Sequence, residues 1–497
     1  ALPQPIPLCD DRLRGLEIAY WTTVPVSNDT AAAIISLYLT GQHPVLGTFD
    51  ADLFLADLVN HKLRFCSPLL VNAVLYFGCQ AYTVFDAAAP RLAWLFYAEA
   101  KKLWDADKST DSFLHVAALV NITYAGSSNG HDNEAMQFLG SLRKVARRLG
   151  LEDDAADDAP PSPTCPMSND VRSRAHIAGY AFYYTYPAPK ATPPLPIPGT
   201  PGFPMPSYMG STFTSICKFW RLGREIVVLH AGAPESAADR VPLAAMESKY
   251  QQLLALAAEF PSEPQHGARI PHHAAVLQVW YHTAIITLMR PWCNKKVLLR
   301  TFDSSSASPE SISTASLRQL KRLVVEIRLY YSEATHNIQW HPGLLFIANA
   351  VLANSERDHE WQFYFMACLY GYGALSPAFR VAALCFKGLL ALAVESGKMP
   401  ASRARFLVQA LTRYGERLRE QEQQQQRQQR DGEEVTGGET EHIYSGIQLN
   451  LDVAASKEKA GTVEELAKRL ETTVLAEEGE GDEEDEDVLF EDLINFE

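Results

Sequence analysis

Along most of the chain, apolar residues recur every three or four positions, the repeat of a helix that buries one face. The pattern predicts helices over 31–39, 50–59, 68–82, 92–104, 113–124 and 133–149. The 68–82 segment is apolar on nearly every side, as a helix enclosed by others would be. In 133–149 the apolar positions are Met136, Leu139, Leu142, Val145, Ala146 and Leu149, which line up as one stripe. Asp132 suits its N-cap, and Gly150 suits the left-handed residue just past its end. Helices resume over 213–229, 243–259, 273–290, 313–331, 342–352, 361–370, 377–395 and 401–429, with a short one at 463–470. The first half of 401–429 offers Phe406, Leu407 and Leu411 to a core. Its second half is Gln, Arg and Glu, a solvated extension that frays. Alternating strand patterns and paired hairpin turns are scarce. The expected fold class is all-α.

Two stretches interrupt this pattern. Residues 153–166 are acidic and then proline-rich, a short helix is expected near 170–184, and 187–206 is too proline-dense for a regular helix. The predicted organisation is therefore a helical half over 10–152, a connector over 153–206 and a second helical half over 207–420. Residues 421–497 turn Gln-rich and then acidic, a composition that favours disorder.

Charge sharpens the picture at the C-terminus. The 497 residues carry a net charge of −15, and residues 477–497 hold twelve carboxylates with no Lys or Arg. Removing those twelve charges from −15 leaves −3, so neither part has the basic excess that duplex DNA requires. Val488, Leu489, Phe490, Leu493, Ile494 and Phe496 are interleaved with Glu491 and Asp492. Acids keep such side chains accessible, and a short amphipathic helix made from them fits a coactivator groove. No run of about 18 apolar residues occurs, so no membrane span is expected. Ala1-Leu2-Pro3-Gln4-Pro5 has no initiating Met and no signal pattern, so the chain is expected to begin downstream of a natural start.

Candidate chemistry is sparse. The eight cysteines form no Cys-x-x-Cys pair, and free thiols in a reducing compartment are expected. Sequons at Asn28 and Asn121 read as chance matches. Gly126-Ser127-Ser128-Asn129-Gly130 fits a serine-hydrolase pattern, but a helix is expected before it where that motif needs a strand. His272 and His273 are adjacent and so diverge on a helix, and His282 reads as a core residue. Gly371-Tyr372-Gly373 lacks the third glycine and preceding strand of a dinucleotide fold. Tyr180, Phe182, Tyr183, Tyr184 and Tyr186 read as packing residues, without the nearby cations that base stacking would use. Arg143, Lys144, Arg147 and Arg148 read as cations of a helix's last turns, complementing its dipole.

A family resemblance rests on residues in order. Ala19, Trp21, Thr22, Val24, Pro25 and Asn28 begin it, followed by Ile35, Tyr38, Leu39, His43 and Pro44. Phe49-Asp50 and Asp52-Leu53-Phe54-Leu55 lead to Phe65-Cys66-Ser67-Pro68-Leu69-Leu70-Val71-Asn72-Ala73. Tyr97-Ala98-Glu99-Ala100, Gly140, Leu149-Gly150-Leu151, the Arg172 and Arg174 pair, and then His282, Leu288, Arg290 and Pro291 complete it. In this order they resemble, over residues 10–420, the middle homology region of fungal binuclear zinc-cluster transcription factors, particularly nitrogen-assimilation-type regulators.

Ala175-His176 replaces the aromatic that usually follows the arginine pair, and a proline stretch replaces a Gly-Arg-Pro-Pro-like segment. The six-cysteine zinc cluster of the family is not among these residues and is expected upstream of Ala1. The resemblance implies a nuclear regulator of RNA polymerase II genes and no enzyme. It implies no cofactor in this chain, zinc belonging to the upstream cluster, and DNA contact through that cluster alone. Implied partners are coactivators at the tail, a second copy of the chain, and a metabolite or corepressor at the body, with no membrane. The rival readings are a terpene-cyclase-like helical enzyme, whose acidic clusters would sit on helices rather than at Asp153, Asp154, Asp157 and Asp158, and a helical scaffold, whose fixed repeat is not seen.

Overall fold

The computed structural model describes residues 6–86, 88–149, 205–230, 242–260, 269–293, 295, 297–299, 307–429 and 462–472. Gly150, Leu151, Arg172, Arg174, the helix expected at 170–184 and the tail residues Leu489, Phe490, Leu493, Ile494 and Phe496 lie outside them. Among the described residues there are sixteen α-helices and no strand, so the fold is all-α. In chain order they are α1 (Asn28–Gly41), α2 (His43–Leu46), α3 (Ala51–Val59), α4 (Pro68–Tyr82), α5 (Ala89–Asp107), α6 (Phe113–Ser128), α7 (Asp132–Arg148) and α8 (Thr212–His230). There follow α9 (Leu243–Ala257), α10 (His272–Met289), α11 (Pro309–Tyr330), α12 (His341–Ala353), α13 (Trp361–Leu375), α14 (Arg380–Glu395), α15 (Ala401–Gln429) and α16 (Val463–Leu470). No helix among the described residues is long and apolar enough to cross a membrane.

The chain divides into two compact units, one of Ala1–Cys79, Leu92–Ala125 and Ala135–Leu323, the other of Gln80–Arg91, Gly126–Glu134 and Val324–Glu497. In the first, short polar residues set the helix starts. Ser27 Oγ accepts from the Thr30 amide at 3.0 Å, and Asp50 Oδ1 accepts from the Leu53 amide at 3.0 Å, each satisfying an orphan donor of a first turn. The sharp corner after α2 is made by Gly47, whose φ of 53° is left-handed. A Cβ there would fall 1.9 Å from the Phe213 ring of α8, so glycine is required both by the turn and by what packs on it. That packing seats α2 against α1, α8 and α10.

The stripe expected on α7 is displaced. Ala135, Phe138, Leu142, Val145 and Ala146 are buried, whereas Met136 is 60% exposed and Leu139 only partly covered. Phe138 packs edge-on to Tyr97 of α5, and burying an aromatic ring outweighs burying the methionine two positions earlier.

In the second unit α12, α13 and α14 pack in succession, and α14 also carries α15 and α16. Gly371 lies in α13, not in a nucleotide loop. A Cβ on it would meet Leu344 of α12 at 2.9 Å and the Trp340 ring at 3.1 Å, so it is a notch that lets the helices approach. On α15 the buried stripe is Ala404, Leu407, Val408 and Leu411, spaced i, i+3, i+4 and i+7. Phe406 falls off that stripe and is 38% exposed, against the expectation that it enters the core.

Candidate functional site

The site residues described in the structure are Leu149, His282, Arg290 and Pro291. Leu149 ends α7, its amide donating to Val145 O at 3.0 Å. The other three belong to α10 and the 3-10 turn Arg290–Trp292 that continues it. Helix α10 is apolar around its whole circumference because α2, α8 and α9 surround it. His282 is half-buried, with its ring edge-on to Tyr281 at 5.1 Å. Burial lowers its pKa to about 4, since a low-dielectric setting disfavours the imidazolium. Its Nδ1 finds no hydrogen-bond partner among the described residues. His273, at the start of the same helix, is also held near 4 by burial, and its Nδ1 lies 2.8 Å from Thr212 Oγ1.

Pro291 follows Arg290 and turns the helix into a 3-10 end, where the Cys293 amide donates to Arg290 O at 3.3 Å. Lys295 caps this end over the face of Trp292, 5.2 Å from its centroid. Imidazoles held neutral in a packed helix are core groups poorly suited to accept or deliver protons near neutral pH, and of His282 and His273 only the latter has its Nδ1 within hydrogen-bond distance of a described partner. Among the described residues no group of three His, Cys, Asp or Glu side chains is placed to hold a metal.

Several of the early signature residues form polar brackets, buried at Trp21, Thr22, Tyr38 and Asn72 and exposed at Asn28. Trp21 Nε1 donates to Leu58 O at 2.9 Å, Asn72 Nδ2 donates to Trp21 O at 3.1 Å, and Thr22 Oγ1 donates to Asn72 Oδ1 at 2.7 Å. These bonds join the N-terminal segment to α3 and α4. Asn28 Oδ1 accepts from the Ile18 amide at 3.0 Å. Tyr38 Oη donates to Asn121 Oδ1 at 2.7 Å, while Asn121 Nδ2 donates to Thr48 Oγ1 at 3.1 Å and to Ala117 O at 2.9 Å. Asn121 is fully buried, which bars its sequon from modification in the folded chain. Arg12 pairs with Asp10 at 2.7 Å and Asp52 at 2.9 Å, fastening the first 3-10 turn to α3. No sequence signal marks Arg12 for this role, because an Asp-rich segment before a helix has no spacing that distinguishes a clamp from a solvated face.

Of the basic residues at the end of α7, Arg148 reaches Asp111 at 2.7 Å, and this pairing draws the Asp111 carboxyl below its ordinary range. Seven described cysteines are free, five buried and two, Cys9 and Cys293, partly so. Burial raises the Cys217 and Cys385 thiols to about 12 and Cys9 to about 11, leaving them protonated and unreactive. The Gly126–Gly130 motif lies at the end of α6, with Ser127 and Ser128 still helical and Gly130 at φ 78°. It is a helix terminus and not a strand-to-helix elbow.

Comparison with known proteins gives two similarities. The Notoamide biosynthesis transcriptional activator notL' of Aspergillus versicolor is 29% identical over 148 residues, covering 28% of this chain and 24% of that protein. The nitrogen assimilation transcription factor nit-4 of Neurospora crassa is 27% identical over 162 residues, covering 29% of this chain and 14% of that protein. The matches thus span a quarter or less of those relatives' own lengths. No family model matches the chain, and no solved structure matches it. Both relatives are fungal transcription factors, not enzymes, and they support a transcription factor's middle region here.

Proposed function

We propose that this chain, which carries the middle region of a fungal transcription factor, is the regulatory body and activation tail of a nuclear regulator of RNA polymerase II genes. The observation that carries the reading is the similarity to two fungal transcription factors, in a chain that also holds the acidic and apolar segment 477–497. In this reading the helical body receives the regulatory input, from a metabolite, a corepressor or a second copy of the chain. The tail recruits coactivators: its carboxylates keep Leu489, Phe490, Leu493, Ile494 and Phe496 accessible, and a hydrophobic groove takes them as a short helix. DNA contact belongs to a zinc cluster of the full-length protein, since this acidic chain lacks the charge for it.

The tail is tested by fusing residues 477–497 to a foreign DNA-binding domain. The fusion should drive a reporter, and replacing Leu489, Phe490, Leu493 and Phe496 with Ala should abolish the signal while leaving the charge unchanged. Full activity in that variant would reduce the tail to a solubilising element.

A further inference from the structure

Helix α16 stands apart from the rest of the second unit. It is reached only through residues 430–461, yet Val463, Leu466, Ala467 and Leu470 are between 0 and 2% exposed as it packs along α14. Their spacing of i, i+3, i+4 and i+7 is the anchor pattern of a helix laid in a groove. The start is set by a capping box, with Thr462 Oγ1 accepting from the Glu465 amide at 3.2 Å and Glu465 Oε2 accepting from the Thr462 amide at 2.9 Å. Charges complete the fit. Lys387 of α14 pairs with Glu471 at 2.6 Å, Glu395 pairs with Arg469 at 3.4 Å, and Lys468 pairs with Glu464 within α16 at 2.5 Å.

We infer that this face of α14 is a recognition site for an amphipathic helix, occupied in cis and exchangeably by Val463–Leu470, and that this docking restrains the acidic segment that follows. Eight residues are too few to hold a helix in water, so the segment is helical only while docked. The gain from burying three large aliphatic side chains is offset in large part by the cost of ordering the segment, which keeps docking reversible. The covalent link tips the balance, because a tethered helix competes at an effective concentration of about a millimolar. Glu471 pairs with Lys387 six residues before the acidic run begins at 477, so a docked α16 limits how far that run can reach from α14. The restraint on activation rests on the tail reading above; the recognition site does not.

The test uses the full 497-residue chain. A fluorescent peptide of residues 459–476 is titrated into the wild type and into the Leu466→Asp, Leu470→Asp variant, whose α16 can no longer dock. The variant should bind the peptide at least about 100-fold more tightly than the wild type, where the tethered copy holds the site. Adding Lys387→Glu should weaken peptide binding about two- to fivefold, and a Glu471→Lys peptide should restore it. Equal binding to variant and wild type, or binding to neither, overturns the inference. So does loss of cooperative melting in both this variant and the milder Leu466→Ala, Leu470→Ala one, since α16 would then be an integral part of the core. A tail that fails to activate a reporter overturns the tail reading and leaves the peptide result standing.

Discussion

At the scale of single residues, buried polar groups matter most. Asn121 satisfies Tyr38 and Thr48 in a site with no access to water. Asn121→Ala leaves Tyr38 Oη and Thr48 Oγ1 with only each other, 3.2 Å apart, and should cost about 1–3 kcal/mol in denaturant unfolding. Tyr38→Phe combined with it should be clearly less damaging than the sum of the two single changes, because the partner already lost cannot be lost twice. The histidines give a pH dependence with a definite sign. His273, His282, His336 and His341 all drop from 6.5 to about 4 because burial disfavours their charged forms. Between those values the unfolded chain takes up protons that the folded chain refuses. Their contribution is complete above pH 6.5 and is lost as pH falls toward 4. Unfolding free energies measured at several points across that window should decline steadily on acidification, and His282→Leu should flatten part of the slope. An unchanged slope in that variant would mean that His282 is solvated.

At the scale of elements, glycines separate close helix crossings from open ones. In α4 a Cβ on Gly78 would lie 2.6 Å from Ile34 Cγ2 and 3.1 Å from the Ile34 carbonyl oxygen of α1. Alanine improves helix propensity by about 1 kcal/mol, but overpacking costs roughly 1–3 kcal/mol, and a backbone oxygen cannot yield without moving α1. Gly78→Ala should therefore destabilise. On α7 a Cβ at Gly140 meets nothing within 4 Å, so Gly140→Ala should stabilise by roughly 0.5–1 kcal/mol. Thermal melting of the two variants side by side checks the pair, and a matching sign for both would refute the packing account.

At the scale of the whole molecule, charge governs what the chain can hold. With a net charge of −15, most of it in the last 21 residues, the chain has no basic surplus to displace counterions from a duplex. Fluorescence anisotropy at physiological salt should show only non-specific binding, with dissociation constants of about a micromolar or weaker. Sequence-specific binding at submicromolar concentration by the purified chain would contradict this.

The order of the longer helices was legible from the sequence because apolar periodicity and proline positions act locally, whereas the four-residue α2 (His43–Leu46) was not expected. The all-α class and helices such as α10 and α14 followed from these local patterns, while Gly126–Gly130, read as a loop after a helix ending at 124, begins inside α6, which runs on through Ser128. What the tertiary structure alone decided was which residues meet. Met136 and Phe138 lie on nearly opposite sides of α7, and only the ring of Tyr97 on another helix settles which side is buried. Phe406 looks like core by composition but falls off the stripe that Leu407 and Leu411 share. Trp21, Tyr38 and Asn72 could be named from the sequence as signature residues, and Asn121 only as a sequon. Their work as hydrogen-bonded brackets could not, because the partners lie 37 to 83 positions apart. The short helix 463–470 was visible as an amphipathic pattern, whereas its seat on α14 was not. Periodicity marks the face a helix must bury, but the surface that buries it is chosen by the whole fold.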